Sequence, residues 1–192
     1  MNGEYDWRWK LGEAVDRIRT RYDHIGRKSG APFLAVVYPP DAERAVLREW
    51  HTLIGTLAPQ FEVRTVDVLE VTSRIVSQFG AERLVEMMND PMPGSDAEAE
   101  LGTMWTTAVA ASVREAALKP GAGRPVVVLE RLAALYPASG PRAVMQALWE
   151  GDRTTLEGPV VLLVPGVLTE VRVYQFVGDA GKEEFMYRGD IL

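Results

Sequence analysis

The chain has 192 residues, of which 47% are hydrophobic and 25% are charged, proportions that are ordinary for a soluble globular protein. It contains no cysteine, which excludes disulfides and cysteine chemistry, and its formal net charge of −6 disfavours binding to the phosphate backbone of nucleic acids. The sequence has no apolar run of membrane-helix length and no signal-peptide pattern, so we expect one cytoplasmic domain over residues 1–192 with no membrane partner.

The first third of the chain alternates helix and strand patterns. Apolar residues recur at helical spacing over residues 10–27, which predicts an amphipathic helix. Residues 33–38 are an uninterrupted apolar run, typical of a strand covered on both faces. Asp41 is placed to cap the next helix, which extends to Pro59. Residues 61–68 alternate apolar and polar side chains and predict a more exposed strand.

The middle of the chain has the patterns of three helices. Residues 69–79 and 81–89 predict two consecutive helices, and residues 90–100 predict a loop. Ser95, with Glu98 three positions later, predicts a capping box at the start of a long third helix. That helix is rich in alanine and threonine, and such small side chains permit close packing.

The last third returns to strands. Two apolar strand runs at residues 125–129 and 159–164 flank a helix that begins with Pro141, a position where the missing N–H has no intrahelical partner. Residues 171–177 and 184–188 predict a closing β-hairpin. Strands alternating with helices predict an α/β fold: a three-layer sandwich with a mainly parallel central sheet, helices on both faces and a C-terminal β-hairpin.

A nucleotide site is one hypothesis for such a fold. The sequence VVVLE at residues 126–130 looks like the strand and acidic residue that hold Mg²⁺ in P-loop NTPases. However, the turn after the first strand is Tyr38-Pro39-Pro40, and a proline lacks the backbone N–H that a phosphate cradle requires. The pattern G-x-x-x-x-G-K-[ST] is also missing. We therefore predict a P-loop-like topology without a phosphate-binding loop, and we interpret Glu130 as an ordinary residue at a strand end.

Other catalytic patterns are missing from the sequence as well. His24 and His51 have no metal-ligand spacing, there is no G-x-S-x-G nucleophile elbow, and no G-x-G-x-x-G follows a strand. We predict no catalytic, cofactor-binding or metal-binding residue. Ligands of parallel sheets bind beyond the carboxyl ends of the strands, which here are Tyr38-Pro39-Pro40, Glu130-Arg131 and Pro165-Gly166.

Charge is unevenly distributed along the chain. Residues 16–30 hold five basic and two acidic residues, whereas residues 82–100 hold six acidic residues and one basic residue. Such runs are usually solvated helical faces, and the alternative is a docking patch for a partner of opposite charge. In the docking interpretation, Arg17, Arg19 and Arg21 are candidate partner-binding residues.

Several short motifs occur in an order that resembles the BrxB family of BREX bacteriophage-defence systems. They are YPP at residues 38–40, LAALYP at 132–137 and PVVLLVPG at 159–166, together with Arg142 at the start of a helix and the pair Tyr187-Arg188 near the end. The resemblance covers most of residues 32–190. The chain departs from the family's pattern at residues 138–141 and 185–187, which places it among divergent members.

The resemblance implies a non-catalytic bacterial component of a complex that provides phage resistance. It implies that the expected partner is the PglZ-type protein of the alkaline-phosphatase fold, with the BREX methyltransferase as a further candidate partner reached through it. Carried over to this sequence, the motifs give these candidate partner-binding residues: Tyr38, Pro39, Pro40, Tyr136, Arg142 and Arg188.

Three functions remain as hypotheses from the sequence. The first is an adaptor that binds a larger defence protein through the turns at the carboxyl ends of the strands or through a charged face. The second is an enzyme or sensor that binds a nucleotide or small molecule near Glu130, Arg142 and Tyr136. The third and weakest is direct DNA binding through residues 17–28.

Overall fold

A mainly parallel β-sheet forms the centre of the protein. The computed structural model describes residues 7–151, 156–178 and 181–192. The strands are β1 (Phe33–Tyr38), β2 (Phe61–Asp67), β3 (Arg124–Glu130), β4 (Val160–Glu170), β5 (Val173–Phe176), β6 (Glu183–Phe185) and β7 (Asp190–Ile191). Five of them form a parallel sheet in the order β2-β3-β4-β1-β7, while β5 pairs antiparallel with β4 and with β6.

Helices cover both faces of the sheet. They are α1 (Trp7–Arg21), α2 (Glu43–Ile54), α3 (Val68–Phe79), α4 (Ala81–Asn89), α5 (Ala97–Leu118) and α6 (Pro141–Glu150). Alternate residues of β1 face opposite sides: Leu34 packs in a core with α1 and α2, and Ala35 packs in a core with α5 and α6. Because both faces are covered, β1 is apolar along its whole length, and so are residues 126–129 of β3 and 160–164 of β4. The predicted three-layer α/β fold is therefore confirmed.

The helix ends differ from the sequence prediction in three places. α1 begins at Trp7 and ends at Arg21, and the chain continues in 3₁₀ turns rather than to residue 27. The prediction that Asp41 caps α2 is wrong, since Asp41 lies inside a 3₁₀ turn and the cap residue is Ala42. The capping box at Ser95 is also wrong: the Ser95 hydroxyl donates to the carbonyl of Met92, and Asp96 caps α5 by accepting from the N–H of Ala99.

The carboxyl-terminal part holds a longer strand than predicted. β4 continues to Glu170, beyond the apolar run that ended at residue 164, because its second half pairs with β5. The predicted hairpin is present as β5 and β6, and part of its predicted turn, residues 179–180, lies outside the described residues. The short strand β7 then returns to the parallel sheet beside β1.

Each of the six helices is too short or too polar to span a membrane, in the ranges that the structure describes.

Candidate functional site

The prolines after β1 determine where that strand stops. β1 and β4 run in parallel register from Phe33–Val160 to Tyr38–Pro165. Pro39 and Pro40 then turn the chain into a 3₁₀ turn, and neither residue has a backbone N–H with which to continue the ladder. β4 continues beyond this point, so its last residues no longer have β1 beside them.

The second half of β4 therefore has one open edge. Its partner over Gly166–Glu170 is β5, and no other strand in the described ranges pairs with it there. The carbonyl of Pro165 accepts from the N–H of Val177, on the β5 side. Backbone groups of successive strand residues point to opposite sides, so the carbonyl of Gly166 and both backbone groups of Leu168 point away from β5. These groups face the position that a further strand would occupy.

A cleft of about 540 Å³ lies along this open edge. Lys10, Tyr38 and Pro39 line one side, and Gly166–Val171 line the other. The Lys10 ammonium donates to the carbonyl of Val37 at 3.0 Å, which occupies a backbone acceptor at the end of β1. Val171 is 89% exposed at the rim of the cleft.

Tyr38 is a buried part of this region rather than an exposed contact residue. Its ring packs in the core between the sheet and α2, and its hydroxyl donates to Glu43 Oε1 at 3.3 Å. Burial raises the pKa of Tyr38 strongly, so the hydroxyl stays protonated and remains a donor. Of the predicted turn residues, Pro39 and Pro40 are the half-exposed ones.

The carboxyl end of β3 holds a contact that the sequence did not predict. Glu130 is buried, and its two carboxylate oxygens lie 2.8 Å and 3.0 Å from Nε2 of His51 on α2. The pKa of Glu130 is raised, chiefly by burial, although His51 favours the ionised form. The alternation of side chains along β3 could have predicted which face of the sheet Glu130 occupies, because Glu130 lies on the same face as Val126 and Val128. Nothing in the sequence indicates that His51 lies above it.

The residue after Glu130 joins β3 to the neighbouring strand. Arg131 has φ of 56°, in the left-handed region, and its guanidinium lies 3.2 Å from the carboxylate of Asp67 at the end of β2. Asp67 also caps α3, since its side chain accepts from the N–H groups of Leu69 and Glu70. The polar groups at this strand end are therefore engaged with one another.

Two predicted arginines line a second groove, on the other face of the sheet. This groove has a volume of about 440 Å³ and lies between α6 and the segment of residues 185–188. The Arg142 guanidinium lies 4.8 Å from the centre of the Tyr187 ring, and that of Arg188 lies 4.3 Å from the centre of the Trp149 ring. The structure thus brings Arg142 and Arg188 together around one groove.

Tyr136 lines a smaller neighbouring groove of about 290 Å³, which it shares with Arg142 and Glu184. The Glu184 carboxylate accepts from the Tyr174 hydroxyl at 2.7 Å and from the backbone N–H of Arg142 at 3.0 Å. Burial raises the pKa of Glu184, while both of these hydrogen bonds favour its charged form. Glu184 therefore ties the start of α6 to the C-terminal hairpin.

Glu130 does not join Arg142 and Tyr136 in one site. Glu130 faces α2 through its contact with His51, whereas Arg142 is on α6, which packs on the opposite face of the sheet. Neither of the two grooves that Arg142 lines includes Glu130. The small-molecule hypothesis in its three-residue form therefore lacks a common cavity.

The basic run on α1 is partly neutralised within the protein. Arg17 pairs with Glu13 at 2.8 Å, and Arg19 pairs with Asp16 at 3.5 Å and donates to the hydroxyl of Thr56. Arg19 and Arg21 are exposed. Their role in partner binding stays a prediction.

No group of three or more histidine, cysteine, aspartate or glutamate side chains in the described ranges could hold a metal ion. The chain matches no family model, no curated protein and no solved structure.

Proposed function

We propose that this protein is an adaptor that binds a larger partner by adding an extended segment of that partner to the open edge of β4. The single observation that supports the proposal is this edge, where the carbonyl of Gly166 and the backbone groups of Leu168 point into a cleft of about 540 Å³. Unpaired strand edges are templates for the addition of another strand.

The walls of the cleft support a strand as the occupant. An added strand would continue the line of β1 beyond Tyr38, at the position where Pro39 and Pro40 turn the chain away. Its backbone would receive hydrogen bonds from β4, and its side chains would contact the exposed Val167 on one face of the sheet. Affinity in such complexes comes from main-chain hydrogen bonds, and specificity comes from the side-chain positions.

The identity of the partner is proposed from the resemblance to the BrxB family. The YPP turn of that family corresponds here to Tyr38-Pro39-Pro40, which forms one wall of the cleft, and Pro165-Gly166 begins the other. We propose the PglZ-type protein as the partner, with the methyltransferase reached through it, in a bacterial phage-defence complex. The protein acts in this proposal without catalysing a reaction.

Co-expression with the products of the neighbouring genes, followed by affinity capture and size exclusion, tests the proposal. We expect a PglZ-type partner to elute with the protein in fixed stoichiometry. Leu168→Pro should abolish the association, because it removes an N–H that points into the cleft and leaves the pairing with β5 in place. The matched control is Leu168→Ala, which loses the same side chain but keeps the N–H and should still bind.

Hydrogen exchange gives a second measurement that does not depend on a variant. The Leu168 amide should exchange slowly in the complex and faster in the free protein. The strand-addition proposal is wrong if the complex forms while this amide stays unprotected. The defence assignment is wrong if no neighbouring product associates and the neighbours have no relation to phage defence.

A further inference from the structure

The groove between α6 and residues 185–188 is opposite in the sign of its net charge to the protein as a whole. The charged side chains that line it are Arg142, Arg188 and Glu150, so it is net positive in a protein whose formal net charge is −6. Glu150 accepts a hydrogen bond from the neutral side-chain amide of Gln146 at 2.8 Å, which leaves its negative charge in place. Two arginines and one glutamate therefore give the lining of the groove one net positive charge.

The two guanidinium groups have their hydrogen-bonding capacity free. Each lies over an aromatic ring, Arg142 over Tyr187 and Arg188 over Trp149. Among the described residues, neither guanidinium makes a hydrogen bond or a salt bridge; the hydrogen bond of Arg142 to Glu184 is made by its backbone N–H. A cation–π contact does not use the N–H groups as hydrogen-bond donors to oxygen, so they are available for a planar or tetrahedral oxyanion.

We propose that this groove binds a phosphate monoester through Arg142 and Arg188. A phosphate monoester carries close to two negative charges and three terminal oxygens, so it can accept from two guanidinium forks at once. The apolar floor of the groove includes Phe33 and Met145, which are buried, and Phe185, which is 37% exposed and provides apolar contact for the organic part of the ester. A volume of about 440 Å³ is within the range of small-ligand sites.

A small phosphate ester fits this site better than a polynucleotide. A nucleic acid backbone requires several basic residues spread along a surface, and here two arginines lie in one concave groove of an acidic protein. The inference does not rest on the adaptor role, because the groove shares no lining residue with the open edge of β4. Either proposal can fail while the other stands.

Isothermal titration at constant ionic strength, with inorganic phosphate and with AMP as probes, tests the site. We expect saturable binding of both probes if the phosphate group is what is recognised, and tighter binding of AMP if the ester's organic part contacts the floor. Arg142→Gln and Arg188→Gln should each weaken binding by about tenfold or more, since each removes charge-assisted hydrogen bonds. Arg48→Gln, an exposed arginine on α2, is the matched control and should leave binding unchanged.

A measurement on the wild-type protein accompanies the variants. The Nε–H resonances of Arg142 and Arg188 should shift on addition of phosphate, and those of other arginines should not. The proposal is overturned if neither probe binds more tightly than about 10 mM, if Arg48→Gln weakens binding as much as Arg142→Gln, or if succinate binds as well as phosphate. The last outcome would identify a general carboxylate site instead.

Discussion

The contact between Glu130 and His51 places an ionisable group where the fold otherwise buries apolar side chains. The Glu130 side chain is 5% exposed, and the His51 side chain is 53% exposed. A buried carboxylate loses hydration, and a single imidazole partner does not fully replace it. This loss of hydration raises the pKa of Glu130. The pair is therefore a local cost to stability at neutral pH.

That cost should make the stability of the protein depend on pH in a definite direction. Because the pKa of Glu130 in the folded protein is above its ordinary value of 4.5, the folded state binds more protons than the unfolded state between those two values. The free energy of unfolding of the wild type should therefore rise, relative to Glu130→Gln, as pH falls from neutral through the folded pKa. Urea unfolding of both proteins across this range measures the difference. A constant difference, or one of opposite sign, would contradict the assignment of the raised pKa to Glu130.

The sequence predicted the parts of the candidate sites that follow from local patterns. It did not predict the side-chain contacts between residues far apart in the chain. Tyr38, Pro39 and Pro40 were found because a turn after a buried strand is a local pattern. The contact of Arg142 with the Tyr187 ring joins residues 45 positions apart, and the pairing of His51 with Glu130 joins residues 79 positions apart. No periodicity in either segment reports the other, so these contacts required the folded structure.

At the scale of elements, close packing around α5 depends on one glycine. The chain passes so near to α5 at Gly102 that a Cβ there would lie 2.1 Å from the backbone carbonyl oxygen of Ala138. One turn further along, the hydroxyl of Thr106 lies 2.7 Å from that of Ser139. The small side chains of α5, which are typical of close packing, thus allow residues 132–140 to lie directly against this helix.

Gly102→Ala should therefore destabilise the protein even though alanine favours a helix. The gain in helix propensity is about 1 kcal/mol, and a clash with backbone that cannot rotate away costs about 1–3 kcal/mol, so we expect a net loss of up to about 2 kcal/mol in the free energy of unfolding. Gly12→Ala in α1 is the matched control, since a Cβ there has no atom within 4 Å and should increase stability by about 0.5–1 kcal/mol. Chemical denaturation of the two variants measures both effects. Equal stabilisation by both would show that residue 138 moves aside without cost.

The elements themselves were predicted better than their ends. β1 was predicted at its observed bounds, because a run of six consecutive apolar residues is typical of a strand that helices cover on both faces. The cap of α5 was predicted one residue too early. Ser95 and Asp96 are both good capping residues, and the sequence does not show which side chain accepts from the N–H groups of the first helical turn. The second half of β4 was missed because Pro165-Gly166 is a typical turn sequence, and the strand conformation beyond it depends on pairing with β5.

At the scale of the molecule, one sheet serves two hydrophobic cores. The core with α1 and α2 contains Leu34 and Leu163, and the core with α5 and α6 contains Ala35 and Leu162. Adjacent residues of the same strands thus belong to different cores. Neither face can lose its helices without exposing one side of β1 and β4 to water, so the two cores should unfold together.

This coupling predicts a single cooperative unit over both faces. Ile18 on α1 and Leu148 on α6 are fully buried in different cores, and truncation of either to alanine should cost about 2–5 kcal/mol. If the sheet couples the cores, each variant should lower the midpoint of one shared transition, and mild denaturant should accelerate amide exchange equally in α2, in α6 and in β1. A variant that accelerates exchange in its own face alone would mean that the two layers of helices unfold separately. The amides of β1 would then exchange at the rate of the less stable layer of helices, because the loss of that layer alone would expose one side of β1 to water.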